Sequence, residues 1–265
     1  MANRFLAAAA LLCAIPAVAA EDGVVSSPEV PRPSDWTVSV GGGAIAMPSY
    51  PGAASSRWMP APFVDIRYKD RFFLSPFTGA GVNIVASQAL VLGVAVLPDF
   101  GRSASAADRL RGWGDVGPGA NVKIFGACPL GPVALVADVR RQLGAGNGFL
   151  ADAGLTKSLF ISRHLMLFPT ASLTWADASY SSAYFGIDGS QSAASRSRGV
   201  GVPVYSAGAG LRDASLTLLA VVPLDERWSV QTLLRTELLL GDAARSPLTE
   251  QRVQPTVGSV VAYRL

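Results

Sequence analysis

Charged residues are scarce in this 265-residue chain, at 15% of its length. Long apolar runs are scarce as well, although half of the chain is hydrophobic. A helix needs about 20 apolar residues to cross the hydrocarbon core of a membrane. The longest apolar run after residue 20 covers residues 89–97, which is the length of a strand. A chain this apolar without a membrane-spanning helix is either a densely packed soluble protein or a β-barrel whose apolar side faces lipid.

Cysteine and histidine are scarcer still, with two cysteines and one histidine in the chain. If an N-terminal signal peptide is removed, Cys13 goes with it, and Cys128 alone cannot form an intramolecular disulfide. A structural zinc site needs about four ligands, which Cys128 and His164 cannot supply. Any Ser/His/acid relay would have to use His164, beside a predicted tight turn. We therefore predict no metal site, no cofactor and no catalytic residue, with Cys128 packing as a small apolar residue and His164 structural or interfacial.

The N-terminal residues predict export. Arg4 precedes an apolar run over residues 5–15, and small residues up to Ala20 are followed by the acidic Glu21. This order is typical of a secretory signal cleaved near Ala19 or Ala20. The predicted organisation is a signal peptide over residues 1–20, a periplasmic linker over residues 21–35, and one domain over residues 36–265.

Apolar and polar residues alternate in many short segments, which predicts β-strands. Residues 226–240 are the longest example, with Leu234 on the apolar face, Gln231 on the polar face, and Leu233 and Leu239 as exceptions. The other segments are residues 36–46, 63–69, 72–86, 89–97, 120–127, 132–142, 149–160, 164–176, 215–222 and 257–265. Bacterial outer-membrane barrels have an even strand number, so we split residues 72–86 at Ser75-Pro76. This gives twelve strands, with ten as the alternative.

Short and long connections separate these segments. The short ones are residues 69–71, 87–88, 129–131, 161–163 and 223–226, and the long ones are residues 47–62, 98–119, 144–148, 177–203 and 241–254. Outer-membrane barrels have short periplasmic turns and long outer loops. We therefore predict a closed antiparallel transmembrane β-barrel. A soluble lipocalin-like barrel or a sandwich remains open, because periodicity does not say which face is inside.

The charged residues on the polar strand faces have two interpretations. They could line a conducting lumen, or they could pair and fill it; we favour pairing, because a buried charge needs a partner. The bases are Lys123, Arg140, Arg227 and Arg235, and the acids are Asp138, Asp152 and Glu237.

The remaining candidate groups have ordinary structural explanations. Turn solvation accounts for most of the carboxylates Asp213, Asp225 and Glu226. Gly41-Gly42-Gly43 is interpreted as permitting a bend or a close backbone approach within a strand. Gly112-Trp113-Gly114 is at most a weak phosphate-cradle signal. The net charge of +3 gives no case for nucleic acid. Aromatic residues near predicted strand ends are expected in membrane girdles, namely Trp36, Tyr68, Trp175, Trp228 and Tyr263.

Several stretches, in order along nearly the whole mature chain, resemble the MipA/OmpV family of outer-membrane proteins. They are GAIAMPSYPG at residues 43–52, PFTGAGVN at 76–83, FGR at 100–102, LRGWGDVGPG at 110–119, YSSAYFGI at 180–187, VPVYSAGAGLRD at 202–213 and LLGDAARSPL at 239–248. The chain departs from the family pattern at Trp113, over residues 195–201, and at its terminal Leu265, where Phe is usual.

The resemblance implies a protein of the Gram-negative outer membrane, in contact with outer-membrane lipid. For one member it further implies a scaffold that joins a lytic transglycosylase to a murein polymerase. Other members are described as adhesins or as stress-linked proteins. We therefore expect a non-catalytic scaffold for murein enzymes, with a small channel or antimicrobial-uptake protein, or an adhesin acting through the outer loops, as alternatives.

Overall fold

The computed structural model describes residues 35–69, 71–105, 110, 114–144, 146–197, 199 and 201–265. The predicted signal peptide and all of the predicted linker except Asp35 lie outside these residues. Within them, no helix is long and apolar enough to cross a membrane.

Thirteen strands and three short helices make up the described chain. The strands are β1 Trp36–Pro48, β2 Ser56–Tyr68, β3 Phe72–Ser75, β4 Gly79–Ala86, β5 Val91–Asp99, β6 Gly119–Leu130, β7 Val133–Leu143, β8 Phe149–Thr156, β9 Leu159–Ser162, β10 Leu165–Ala176, β11 Gly210–Pro223, β12 Trp228–Leu239 and β13 Val253–Arg264. The helices are α1 Ala178–Phe185, α2 Gly189–Ser197 and α3 Gly241–Arg245.

The strands close into an antiparallel barrel. Apart from β8 and β9, each strand pairs with the next one along the chain, and β13 returns to β1, where Tyr263 lies opposite Val40. Both β8 and β9 pair with β10, end to end, so they count as one interrupted strand. Thirteen strands less one gives twelve around the barrel, as predicted. The predicted split at Ser75-Pro76 is confirmed, because β3 ends at Ser75 and β4 begins at Gly79.

Burial shows which strand faces point outward. Along β13, the outward residues Val257 and Val261 are 45% and 44% exposed, whereas the intervening Val260 is 5% exposed. On β6 and β11 the outward Ile124 and Leu216 are 64% and 67% exposed. The apolar faces therefore point away from the barrel, and charged side chains point inward. This is the reverse of a soluble lipocalin-like barrel, so the soluble alternative is wrong.

Glycines allow β1 and β13 to approach closely. A Cβ atom on Gly41 or Gly43 would overlap a backbone carbonyl oxygen of β13, at Val261 and Ser259 respectively, whereas one on Gly42 would meet no atom within 4 Å. The glycine run thus lies within a strand and permits a close backbone approach, one of the two structural roles predicted for it.

The connections sort to the two barrel ends as expected. Short turns join β2 to β3, β4 to β5, β6 to β7, β9 to β10 and β11 to β12, and both described chain termini lie at that same end. The long connections lie at the opposite end, where the one between β10 and β11 contains α1 and α2 and the one between β12 and β13 contains α3.

Several predicted boundaries were wrong. The long connection over residues 47–62 is mostly strand, because β1 continues to Pro48 and β2 begins at Ser56. Two strands begin earlier than predicted, β11 at Gly210 and β13 at Val253. Two predicted turns were also misplaced, because residues 161–162 end β9 and residues 129–130 end β6.

Candidate functional site

A band of paired charges lines one half of the barrel lumen, along β7, β8, β10 and β12. Arg140 forms ion pairs with Asp138, at 3.1 Å, and with Asp152 on the next strand. Thr174 of β10 donates a hydrogen bond of 2.7 Å to the same Asp152 carboxylate. On β12, Arg235 and Glu237 pair at 2.7 Å. We call these residues the lumen ladder.

The pairing prediction is confirmed for two of the four bases, Arg140 and Arg235. The Lys123 ammonium lies 5.4 Å from the centre of the Phe125 ring, which is a cation–π distance. Arg227 is not in the lumen: it lies on the turn between β11 and β12 and donates to the Tyr263 hydroxyl at 2.8 Å. Its prediction as a lumen residue was therefore wrong.

A β-bulge adds two consecutive charged residues to the ladder. The β10–β11 register shifts so that Thr174 lies opposite Asp213 and Trp175 opposite Leu211, leaving Arg212 between them. Asp213 is fully buried and paired with Arg212. Arg212 also donates to the Tyr180 hydroxyl at 2.9 Å. The prediction of Asp213 as a solvated turn carboxylate was wrong, because β11 begins at Gly210 and places Asp213 on the same inward face as the buried Ser215.

The end of the barrel opposite the short turns is closed by folded connections. Asp177 caps α1 by accepting the Tyr180 amide N–H at 2.8 Å. The helix buries Tyr180, Tyr184 and Phe185 against lumen-facing wall residues such as Leu150. The two tyrosine rings stack with centroids 4.5 Å apart.

A second buried cluster joins four connections at this mouth. It contains Tyr50 and Ala53 from β1–β2, Leu110 from β5–β6, Ile187 and Val202 from β10–β11, and Leu248 from β12–β13. We call the two clusters together the outer cap.

Polar groups inside the outer cap are also buried. Arg102 donates to the Tyr184 carbonyl oxygen at 3.1 Å, and loss of solvent lowers the pKa of this arginine. Burial raises the pKa of the Tyr184 phenol to about 12. The phenol therefore stays neutral at physiological pH and accepts a hydrogen bond from Gln142 at 3.2 Å.

The short-turn end, which we call the rim, is open and charged. Asp225 accepts the amide N–H groups of Trp228 and Arg227, both at 2.7 Å, and these bonds lower the pKa of its carboxyl. Lys69, directly after β2, and Asp35, directly before β1, form an ion pair of 3.2 Å at the same end of the barrel. Asp225 thus fixes its turn, while Glu226 beside it is exposed.

A recess of about 90 Å³ opens at the rim, which we call the rim recess. Its apolar lining includes Phe63, Met166 and Val221. The Gln231 side chain also lines it and is 8% exposed, and its Oε1 atom is buried with no hydrogen-bond partner among the described residues. A buried acceptor without a donor is costly.

The predicted aromatic residues lie at the strand ends. Trp36 and Tyr68 pack at the rim with ring centroids 4.6 Å apart, and Trp228 and Tyr263 do so at 4.8 Å. Trp175 lies at the other end of β10 and is 41% exposed. These positions suit two girdles at the membrane interfaces.

The candidate catalytic and metal residues are not brought together. His164 is exposed in the turn between β9 and β10, where its Nε2 atom accepts a 2.8 Å hydrogen bond from Arg163. Cys128 is a free thiol on β6, on the same outward face as its partner Leu135. Within the described residues, no cluster of three or more His, Cys, Asp or Glu side chains could hold a metal ion. Gly112 and Trp113 lie outside those residues.

A closed barrel with an apolar outer surface, short turns at one end and folded loops at the other is an integral outer-membrane β-barrel. The family model described as "MltA-interacting protein MipA" matches residues 40–265. The chain belongs to this family, and it is a protein of the Gram-negative outer membrane. The rim therefore faces the periplasm and the outer cap faces outside.

Solved outer-membrane barrels are similar in fold at low sequence identity. An outer-membrane channel from Pseudomonas putida F1 is 11% identical, with 92% of this chain and 100% of that chain covered and a TM-score of 0.44. The translocator domain of the autotransporter NalP from Neisseria meningitidis is 12% identical, with 89% and 90% covered and a TM-score of 0.40. No curated protein matches this chain.

Proposed function

We propose that this protein is a non-catalytic scaffold that binds a lytic transglycosylase and a murein polymerase at the periplasmic face of the outer membrane. The observation that carries the proposal is the family match, whose description records interaction with MltA, a lytic transglycosylase. We further propose that the mature chain has a short periplasmic linker over residues 21–35 ahead of the barrel, after loss of a signal peptide over residues 1–20.

The rim supports this role because it is the part of the barrel that reaches the periplasm. The turn between β11 and β12 projects Leu224, which is 57% exposed, beside the exposed Glu226. The rim recess opens next to that turn and is lined in part by Glu226 and Arg227. An apolar partner side chain entering the recess would bury its floor, and a partner N–H could donate to Gln231 Oε1.

The test is co-purification of both enzyme classes from detergent extracts. Leu224→Ser with Glu226→Lys changes the exposed turn and keeps Asp225, whose two accepted hydrogen bonds hold the turn together. We expect at least a tenfold loss of captured partner. The matched control is Gln88→Lys in the β4–β5 turn at the same end. Undiminished capture after all the short turns have been altered would reject the scaffold.

Gln231→Leu tests the recess separately. Leucine fills a similar volume without the unsatisfied acceptor, so the barrel should be at least as stable while partner affinity falls. Equal affinity of Gln231→Leu and wild type would exclude the recess from the docking surface.

The non-catalytic part of the proposal is tested at His164. His164→Ala should leave partner capture and cell-wall phenotypes unchanged, because no proton transfer would depend on the imidazole. A murein hydrolase activity of the purified protein that disappears in His164→Ala would overturn it.

The outer cap argues against an open channel. Two clusters of buried aromatic and aliphatic residues close the outer mouth, and the lumen ladder neutralises most of the inward charges in pairs. We therefore expect conductance near background in planar bilayers.

A further inference from the structure

The barrel wall has a gap beside β2. The strand β3 has four residues and pairs with β2 only from Ile66 to Tyr68. In the described part of the chain, no strand pairs with residues 56–65 of β2 on the side of β3. On their other side these residues pair with β1 along their whole length. We call this opening the wall gap: it lies between residues 56–65 of β2 and the end of β5, above the turn at residues 76–78.

The wall gap lies at membrane depth. A strand needs about 9–11 residues to cross the bilayer. The two strands below the gap have four residues in β3 and eight in β4. The turn that joins them therefore ends inside the apolar belt, and the gap opens in its outer half, below the outer cap.

Prolines prevent another strand from closing the gap. The Lys69 amide N–H donates to the Asp35 carbonyl oxygen of the β1 side, so the odd-numbered amides of β2 face β1 and the even-numbered ones face the gap. Pro60 and Pro62 are even-numbered and have no N–H. Strand addition at this edge would lack two donors in sequence, which is how natural proteins block edge pairing. Across the gap, Pro98 near the end of β5 also lacks an N–H.

The gap edge is rich in hydrogen-bond acceptors. Carbonyl oxygens of the even-numbered residues 58, 60, 62 and 64 face it, but only Trp58 and Val64 among them offer an N–H. Hydrocarbon cannot satisfy these groups, and lipid-exposed sheet edges do not occur in a bilayer core. At the tip of the β3–β4 turn, Thr78 Oγ1 is likewise buried with no hydrogen-bond partner among the described residues. The edge therefore fits a molecule that brings donors.

The lumen-facing side chains behind the gap are mostly small and apolar. The inward positions of the flanking strands beside the gap are mostly glycine, alanine, methionine or phenylalanine, namely Gly41, Gly43, Met59, Ala61, Phe63, Gly79, Gly81, Gly93 and Ala95. The charged exception, Asp65, is buried and paired with Arg67 at 2.9 Å. The lumen ladder lies on β7, β8 and β10–β12, around the barrel from these strands. Phe63 and Phe77 approach at the base of the gap, with ring centroids 6.2 Å apart.

We propose that the wall gap is a lateral binding site for an amphipathic molecule from the outer leaflet. Its alkyl chain reaches between the bilayer and the small-residue side of the lumen, and its hydroxyl or ammonium donors bind the carbonyl oxygens of β2 that no described strand pairs with. This site is independent of partner binding at the rim and goes beyond the proposed scaffold function.

The test uses a membrane-confined thiol reagent, N-hexadecylmaleimide, with the protein in liposomes. All variants carry Cys128→Ser, because Cys128 faces lipid. Ala61→Cys faces the lumen at the gap, and Ser172→Cys faces the lumen behind an intact wall, where Ser172 lies 2.8 Å from Ser215. Both positions are half-buried, and Ala137→Cys on the lipid side of β7 gives the maximum rate. Each maleimide labelling rate is divided by the rate with a small water-soluble thiosulfonate, which corrects for how accessible the cysteine is from the lumen.

We expect the normalised rate of Ala61→Cys to exceed that of Ser172→Cys at least tenfold. Met59 is the next inward residue of β2, and Met59→Cys replaces Ala61→Cys in the assay if the latter fails the heat-modifiability test of folding. Equal rates at the gap and behind the intact wall, or no labelling at either gap position, would overturn the lateral site.

The donor requirement is tested by protection. Dodecylamine or dodecanol in the membrane should slow labelling of Ala61→Cys at least threefold, whereas methyl dodecanoate, which has no donor, should not. Equal protection by the ester would show that the gap carbonyls do not select the ligand and would overturn the proposed headgroup class. Neither measurement involves a murein enzyme, so failure here leaves the scaffold proposal untouched.

Discussion

Two neighbouring leucines of β12 test the orientation of the barrel wall most directly. Leu234 faces outward opposite Leu218 and Val257 and is 43% exposed. Leu233 faces the lumen opposite Gly258 and Leu219, and the side chain of Ile45 lies over Gly258. Replacing each leucine by arginine makes the same chemical change on opposite faces of one strand.

The expected costs differ because Leu234 lies near the bilayer centre. It follows Trp228 of the rim by six residues, which is about 15 Å of height at 3.4 Å per residue and a tilt of about 40°. The apolar belt is about 25 Å tall, and arginine on its lipid face near the midplane costs about 2–4 kcal/mol. Leu233→Arg should cost about 1 kcal/mol or less, since the lumen already holds charged groups.

The assay is folding into large liposomes, followed by urea titration and by heat-modifiable migration on gels. A difference of about 3 kcal/mol between the two variants corresponds to about a hundredfold change in the folding equilibrium. Equal destabilisation, or a larger effect of Leu233→Arg, would show that the two faces have been assigned in reverse.

Three further outcomes are expected. Asp213→Asn should lower the free energy of unfolding by about 3 kcal/mol, because Arg212 then keeps a buried charge without its nearest partner; an unchanged urea midpoint in detergent would contradict this. The Gly208 amide N–H and Arg245 hold the pKa of Asp242 below its ordinary value, so its contribution to the outer cap is fully present above about pH 4 and is lost as the pH falls through the folded pKa. The rate at which pepsin cleaves the β10–β11 connection should therefore be lower in the wild type than in Asp242→Asn, and the two rates should converge as the pH falls, because comparison at the same pH cancels the pH dependence of the protease itself. Lipids brominated near the headgroup should quench the fluorescence of Trp228, and no quenching would exclude the girdle.

The wall could be predicted from the sequence wherever its pattern is local. A strand alternates with period two, so the apolar and polar faces of β12 follow from the residue order alone, and Leu233 proves to be an apolar residue that faces the lumen. The same reasoning failed at the start of β2. Its prolines favour a loop interpretation, and they are tolerated in a strand only because β3 is too short to need their missing donors.

The candidate site depended more on contacts between distant residues. The partners of Arg140 could be predicted as a class, since buried carboxylates had to lie within reach. The bulge at Arg212 could not, because it arises from the register between β10 and β11 and has no glycine or proline to mark it. The outer cap joins Tyr50 to Leu248 across almost the whole chain, and no local pattern encodes such a contact.

The two proposed sites lie at different heights of the barrel, because the rim recess opens at the periplasmic end and the wall gap opens below the outer cap. Replacing paired buried charges by well-packed apolar residues is often neutral or stabilising, so the lumen ladder is not needed for stability alone. It does line the wall formed by β7, β8 and β10–β12 with ion pairs, one of which joins neighbouring strands, and this wall lies around the barrel from the wall gap. On the side of the wall gap the two sites meet at Phe63, which lines the rim recess and packs against Phe77 at the base of the gap. Variants at Glu226 and at Ala61 should act additively, because neither replaces Phe63, and strong coupling between partner capture and gap labelling would show that Phe63 transmits a change of shape.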